Sequence, residues 1–151
     1  WPPIHQPGKN LHDTMKRCMW CHGAVGVGLA RLASEKFSDL DTSDLRFDID
    51  RSIRGARKNM SKTIDSLCCG AMGRVELFYE VGKTHLDSEL IAQARQQLFE
   101  VIEAAHQSTY RFGGAGGIGE FHLGLFRGIS GVGYTILRQL NPNLPNVLIW
   151  E

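Results

Sequence analysis

The chain has 151 residues, a length typical of one domain, and 42% of them are hydrophobic, enough for a sizeable core. Its 17 basic and 16 acidic residues leave a formal net charge of +1, which gives no indication of binding to nucleic acid or to an anionic membrane. No apolar run approaches the roughly 18 residues that a transmembrane helix needs, and no signal peptide opens the chain. Four cysteines without a secretory signal favour a reducing compartment, so we expect a cytoplasmic protein.

One motif recurs three times and organises the chain. Each copy has a glycine, two further residues, a second glycine and an apolar run, as in HGAVGVGLARL, CGAMGRVELF and RGISGVGYTIL. The first glycines are Gly23, Gly70 and Gly128, and their spacings of 47 and 58 residues suit one pair of helices per repeat. We interpret them as packing glycines that let helices approach one another.

Apolar periodicity predicts the helices. The segments Gly26–Ala33, Gly73–Val81 and Gly131–Leu140 are apolar on several sides, as expected of inner helices that are packed all round. Amphipathic stripes between them predict outer helices from about Asp44 to Ser61 and from about Ser88 to Gln107. The sequence therefore predicts an all-α fold of alternating inner and outer helices.

Local signals refine this pattern. Asp87 or Ser88 can cap the second outer helix, and Asn141-Pro142 ends the last inner helix. The stretch YRFGGAGGIGEFHLG, residues 110–124, is predicted to form a glycine-rich loop or a small hairpin. It contains G-x-G-x-x-G, but neither the preceding buried strand nor the following helix of a dinucleotide site is present.

Three cysteines occupy related positions in the repeats. Cys21 and Cys68 each lie two residues before the first glycine of a motif, and Cys69 follows Cys68. Equivalent positions of adjacent repeats should lie at the same end of the inner helices, so the three thiols can converge. Thiolates repel one another unless a cation neutralises them, and zinc is the usual cation in a reducing cell. Three protein ligands would leave the fourth position open, as in a catalytic zinc site.

Cys18 leaves other interpretations open. It forms C-x-x-C with Cys21, and the four cysteines could instead make a closed, structural zinc site. A redox pair is less favoured because no thioredoxin-like βαβ pattern surrounds it, and buried inert cysteines come third. Spacing alone favours the structural and catalytic sites equally.

The motifs resemble those of a known family. WCHGAVGVGLARL resembles the W-C-x-G-x-x-G motif of lanthionine synthetase cyclases, the LanC-like family, and LCCGAMG resembles their L-C-H-G-x-x-G motif. GLFRGISGVGYTILRQLNPNLPNVLIWE is similar to the carboxyl end of bifunctional type II lanthipeptide synthetases (LanM). The resemblance covers about Arg17 to Glu151 and implies an α/α toroid, in which inner helices are wrapped by outer ones.

The resemblance also assigns site residues. It implies that Cys21, Cys68 and Cys69 are zinc ligands, with Cys69 where most members have His, as in a subset of LanM enzymes. Cys18 has no ligand role in the family.

Three more residues are implied as active-site candidates. Arg17 and Trp20 match the active-site Arg and Trp of the family. His22 and Arg17 are the local candidates for the proton donor, since the family's general acid is expected upstream of Trp1.

The implied function is zinc-dependent ring formation. A cysteine thiolate of a ribosomal precursor peptide would add to dehydroalanine or dehydrobutyrine in a Michael reaction, giving lanthionine or methyllanthionine. We expect residues 1–151 to be the C-terminal portion of a cyclase domain, inactive alone, with upstream cyclase repeats and a dehydratase domain in a longer chain. The alternatives are a non-catalytic, zinc-stabilised helical peptide-binding module and a LanC-like protein that adds glutathione to dehydroamino acids.

Overall fold

The computed structural model describes residues 18–37, 42–58, 64–114, 117–118 and 121–150. Over these ranges the chain forms helices and one short hairpin, so the predicted all-α class is confirmed. The helices are α1 (Ala24–Ser34), α2 (Thr42–Lys58), α3 (Ala71–Thr84), α4 (Ser88–Gln107) and α5 (Ile129–Leu140), and the antiparallel strands are β1 (Gly113–Gly114) and β2 (Gly117–Ile118).

The helices pack as two pairs and a single helix. α1 packs on α2, α3 packs on α4, and α3 also contacts α1 on one side and α5 on the other. α3 is buried around its whole circumference from Ala71 to Gly82. α2 buries only one stripe, which includes Leu45, Ile49, Ile53 and Ala56. The row α1–α3–α5, with α2 and α4 outside it, matches the predicted order of inner and outer helices. Of these three helices only α3 is packed all round as predicted, since α5 leaves Leu137 and Leu140 exposed.

Helix ends follow the local signals. The Asp87 side chain accepts hydrogen bonds from the backbone N–H groups of Glu89 and Leu90, at 2.9 and 3.0 Å, and so caps α4 as predicted. α5 ends at Leu140, directly before Asn141-Pro142. The glycine-rich stretch forms the small hairpin of β1 and β2. Within the described residues, no helix is both long and apolar enough to cross a membrane.

The motif glycines start the inner helices. Gly23, Gly70 and Gly128 are the N-caps of α1, α3 and α5, so these helices begin two residues earlier than the apolar pattern predicted. A Cβ on Gly70 or Gly128 would collide with backbone atoms of the preceding loop, at 2.5 and 2.0 Å. These close neighbours belong to the loop and not to another helix, which corrects our interpretation of Gly70 and Gly128.

The second glycine of each motif has a matching role. It packs against the carbonyl oxygen six residues earlier, where the preceding loop folds over the first turn of the helix. A Cβ would lie 1.9 Å from that oxygen at Gly26 (Trp20), 2.5 Å at Gly73 (Leu67) and 2.1 Å at Gly131 (Leu125). The repeated G-x-x-G thus fixes the shape of the loop that leads into each inner helix.

This packing gives a first prediction. Gly131→Ala should lower the free energy of unfolding by about 1–3 kcal/mol, because its Cβ has no room. Gly133 on the same helix is a matched control, since no atom lies within 4 Å of its Cβ position. Gly133→Ala should raise stability by about 0.5–1 kcal/mol through helix propensity. Urea unfolding of both variants tests this, and equal stabilities would contradict it.

A buried ion cluster joins α3 and α5. The Arg138 guanidinium contacts the carboxylates of Glu76, at 2.9 Å, and Glu80, and it donates to the Leu144 carbonyl. The Arg138 and Glu76 side chains are each 1% exposed. This cluster fixes α5 and the segment after it against the central inner helix.

Candidate metal centre

Backbone hydrogen bonds join the loops that precede the inner helices. The Trp20 N–H donates to the Cys68 carbonyl at 2.9 Å, and the Cys68 N–H donates to the Phe126 carbonyl at 2.8 Å. Consecutive motif loops therefore lie side by side, and α1, α3 and α5 begin at the same end of the molecule. This pairing brings equivalent positions of the repeats together.

Three cysteines meet at this end. The Sγ atoms of Cys21, Cys68 and Cys69 all lie within 4.8 Å of one another. The Cys69–Cys68 distance is 3.2 Å and the Cys21–Cys69 distance is 3.6 Å. Tetrahedral zinc with Zn–S bonds of about 2.3 Å separates its sulfur ligands by about 3.8 Å. The three sulfur atoms, which we name the cysteine cluster, can therefore hold a metal ion.

Two of the three thiols, those of Cys68 and Cys69, have raised pKa values when no cation is bound. Burial raises the pKa of Cys68, and the adjacent thiols of Cys69 and Cys21 raise it further. Burial also raises the pKa of Cys69, whereas the positive charge of Arg127 lowers it. A cation bound among the sulfur atoms reverses this balance, because coordinating thiols are deprotonated.

Cys18 lies apart from the cluster. It is buried in the core, 7% exposed, and pairs with Gly23 in an isolated β-bridge. Burial raises the pKa of its thiol, while the charge of Arg74 opposes this shift. The group of sulfur atoms within 4.8 Å of one another does not include Cys18. This geometry favours the three-cysteine arrangement over the closed four-cysteine site.

Of the three predicted active-site residues that are not metal ligands, Trp20 has well-defined contacts. The Trp20 ring stacks on Phe126, with centroids 5.3 Å apart, and its Nε1–H donates to the Leu148 carbonyl at 3.0 Å. His22 is exposed and follows Cys21 directly. Arg17 lies outside the described residues. Trp20 thus ties the Cys21 loop to the end of the chain, and the catalytic roles of all three stay predictions.

A groove opens beside the cluster. It has a volume of about 840 Å³ and runs along α1, with Cys21 and His22 on its wall. Its other lining is mainly apolar and includes Val27, Ala30, Leu148, Ile149 and Trp150. The groove can therefore accommodate an apolar peptide segment next to an exposed sulfur ligand.

Sequence reasoning missed one residue near the cluster. Arg127 directly precedes the first glycine of the third motif. Cys69 holds the same position in the second motif, and His22 holds it in the first. It is exposed, and its charge acts on the Cys69 thiol. Aligning the three repeats position by position would have found it.

Comparison with known proteins identifies the family of the chain. Residues 1–149 match the sequence model of the family described as "Lanthionine synthetase C-like protein". No curated protein and no solved structure matches the chain. The family match spans all three motif loops and the whole cysteine cluster. The chain therefore belongs to the lanthionine synthetase C-like family.

Proposed function

We propose that this chain is the zinc-binding part of a cyclase that closes lanthionine and methyllanthionine rings in a dehydrated precursor peptide. The observation that carries the proposal is the cysteine cluster at the start of the inner helices, in a chain of the lanthionine synthetase C-like family. We assign the protein to the LanM type, in which Cys69 replaces the usual His ligand.

The residues present fit zinc. Cys21, Cys68 and Cys69 would hold the ion through three thiolates, whose sulfur spacing is close to that of a tetrahedral site. Three thiolates suit a soft or borderline cation and disfavour magnesium or calcium. When bound, zinc would lower the pKa of a peptide cysteine at its fourth position and keep it as a thiolate.

The chain's own groups would position the peptide. The apolar groove beside Cys21 would bind residues that flank the reacting cysteine and exclude water from them. α1, α3 and α5 begin next to the cluster without side-chain caps, so the positive ends of their dipoles favour negative charge there. Arg17 and His22 are the local candidates for the group that protonates Cα after addition.

The surrounding architecture is part of the proposal. The row α1–α3–α5, with α2 and α4 outside it, would be one arc of a closed α/α toroid. Residues 1–151 would form the C-terminal portion of the cyclase domain, and a dehydratase domain would prepare the peptide. The family match and the complete burial of α3 support this arrangement.

Metal binding by single variants tests the proposal. We expect one zinc per chain in the wild type and in Cys18→Ala. Zinc affinity should fall in each of three variants: Cys21→Ala, Cys68→Ala and Cys69→Ala. Each loss should exceed the roughly 10–100-fold loss that follows removal of a residue hydrogen-bonded to a metal ligand. Competition with a chromophoric chelator measures the affinity, and X-ray absorption counts the sulfur ligands.

Two outcomes would contradict the proposal. Loss of zinc in Cys18→Ala, with four protein sulfur atoms in the absorption spectrum, would establish the closed structural site. Zinc bound by the cluster without thioether formation on a dehydrated peptide, in the protein joined to its remaining cyclase repeats, would favour the non-catalytic module. Thiol alkylation followed by mass spectrometry measures that ring closure.

A further inference from the structure

We propose that Arg127 binds the carbonyl oxygen of the dehydroamino acid and stabilises the negative charge that forms on it during ring closure. This inference rests on the proposed function and adds to it a residue to which the family resemblance assigned no role. It follows from the position of Arg127 in the third motif loop, from its exposure, and from the absence of a carboxylate partner for it among the described residues.

The backbone places Arg127 beside the cysteine cluster. The hydrogen bond from the Cys68 N–H to the Phe126 carbonyl, at 2.8 Å, fixes the residue before Arg127 to the loop that carries two of the three sulfur atoms. In the repeat, Arg127 occupies the position of Cys69. The third motif thus supplies a cation where the second supplies a sulfur atom.

The guanidinium is available for a ligand. Arg127 is exposed, and within the described part of the chain it has no carboxylate or hydrogen-bond partner. Arg74, by contrast, is buried, and its charge acts on Cys18 and Asp65. The charge of Arg127 acts on the Cys69 thiol of the cluster. A free guanidinium presents a planar set of donors that suits an oxyanion.

The chemistry requires a positive group close to the sulfur. The sulfur electron pair forms the new bond to Cβ, and the Cα=Cβ π pair shifts so that negative charge collects on the carbonyl oxygen. Cα then takes up one proton, which balances the proton lost by the thiol, so no oxidant or reductant is needed. The charged oxygen is only four bonds from the sulfur, so a donor that stabilises it must lie beside the cluster. Donors aimed at such developing charge are a major source of rate enhancement in enzymes.

A small thiol can mimic this arrangement. In 3-mercaptopropionate the carboxylate oxygen is also four bonds from the sulfur, and 3-mercaptopropionamide is its neutral counterpart. We would load the protein with cobalt, a spectroscopic substitute for zinc, and titrate both thiols while following the sulfur-to-cobalt charge-transfer band. Wild-type protein should bind the carboxylate roughly tenfold more tightly than the amide, as expected for one charge-assisted hydrogen bond.

Variants test whether Arg127 causes this preference. In Arg127→Gln the ratio of the two affinities should fall to about one, and Arg127→Lys should keep part of it, since charge remains without the planar fork. Arg95→Gln is the matched control, because Arg95 is an exposed arginine on the outer helix α4. It should leave the ratio unchanged. Cobalt stoichiometry and the melting temperature should be unchanged in all three, because Arg127 and Arg95 are exposed.

The outcomes separate the two proposals. If cobalt binds and the carboxylate preference survives in Arg127→Gln, the role of Arg127 is overturned while the metal centre stands. If the cysteine cluster takes up no cobalt, the proposed function fails, and the Arg127 proposal fails with it because its oxyanion position is defined by the bound thiolate.

Discussion

Replacing Arg138 with methionine should lower the free energy of unfolding by about 3–5 kcal/mol at neutral pH. The Arg138 and Glu76 side chains are each 1% exposed, and the Glu80 side chain is 7% exposed. Methionine fills much of the arginine volume, but it leaves the Glu76 carboxylate buried without a counter-charge, while Glu80 keeps Lys83, whose Nζ lies 3.2 Å away. Removing one partner of a buried ion pair is strongly destabilising for this reason.

The stability loss expected for Arg138→Met should depend on pH. Burial raises the pKa of Glu76, and the Arg138 guanidinium opposes that rise. Without the guanidinium the folded-state pKa rises further, so the folded variant binds a proton that the unfolded chain has already released. Stability should therefore fall as pH increases through the raised pKa and recover as pH falls towards the unfolded value. Urea unfolding at about pH 5 and pH 8 should show a smaller loss at the lower pH.

A double variant provides the control. In Glu76→Met/Arg138→Met the remaining carboxylate of Glu80 keeps Lys83, whose Nζ lies 3.2 Å away. This protein should regain most of the stability that Arg138→Met loses, because a buried ion pair can be replaced by apolar groups at little net cost. A loss below about 1 kcal/mol in Arg138→Met, or one equal at both pH values, would show that the cluster does not stabilise the junction of α3 and α5.

Local features of the fold were predictable because their causes are local. The bounds of α4 follow from an apolar stripe and from the Asp87 cap, both of which are visible in the sequence. The meeting of Cys21 with Cys68 and Cys69 followed from their register relative to the motif glycines, since backbone pairing aligns the repeats. The start of each inner helix was misplaced because a glycine N-cap carries no side-chain signal.

The features that could not be predicted depend on contacts between residues that are far apart in the sequence. Arg138 and Glu76 are 62 residues apart, and nothing in the periodicity of α3 or α5 shows that these charges are buried against each other. Trp20 and Leu148 are 128 residues apart. The family motif pointed to Trp20 as an active-site residue, but only the structure shows which groups it contacts.

Trp20→Ala should lower the free energy of unfolding by about 3–5 kcal/mol, as expected for removing a packed aromatic side chain. It removes the stack on Phe126 and the hydrogen bond to the Leu148 carbonyl. The affected loop carries Cys21, so metal affinity should fall as well. Urea unfolding and chelator competition measure the two effects separately.

Two milder variants show which contact of Trp20 causes the stability loss expected for Trp20→Ala. Trp20→Phe keeps an aromatic ring over Phe126 but loses the N–H donor and part of the ring surface; loss of the donor should cost about 1–2 kcal/mol. Trp150 is 79% exposed and meets Trp20 in a tilted contact, with centroids 6.3 Å apart. Trp150→Phe should therefore change stability by less than about 0.5 kcal/mol.

These variants also decide whether Trp20 takes part in the chemistry. Its indole N–H is already committed to Leu148, so we expect it to act by holding the Cys21 loop in place. Under this view, if the proposed ring closure takes place, Trp20→Phe should close rings at nearly the wild-type rate once it is folded and zinc-loaded. A large fall in ring closure, in folded protein with the zinc content of the wild type, would instead require that the indole contacts the peptide directly. The outcome turns on the indole N–H, because Trp20→Phe removes this donor while retaining an aromatic ring at the position.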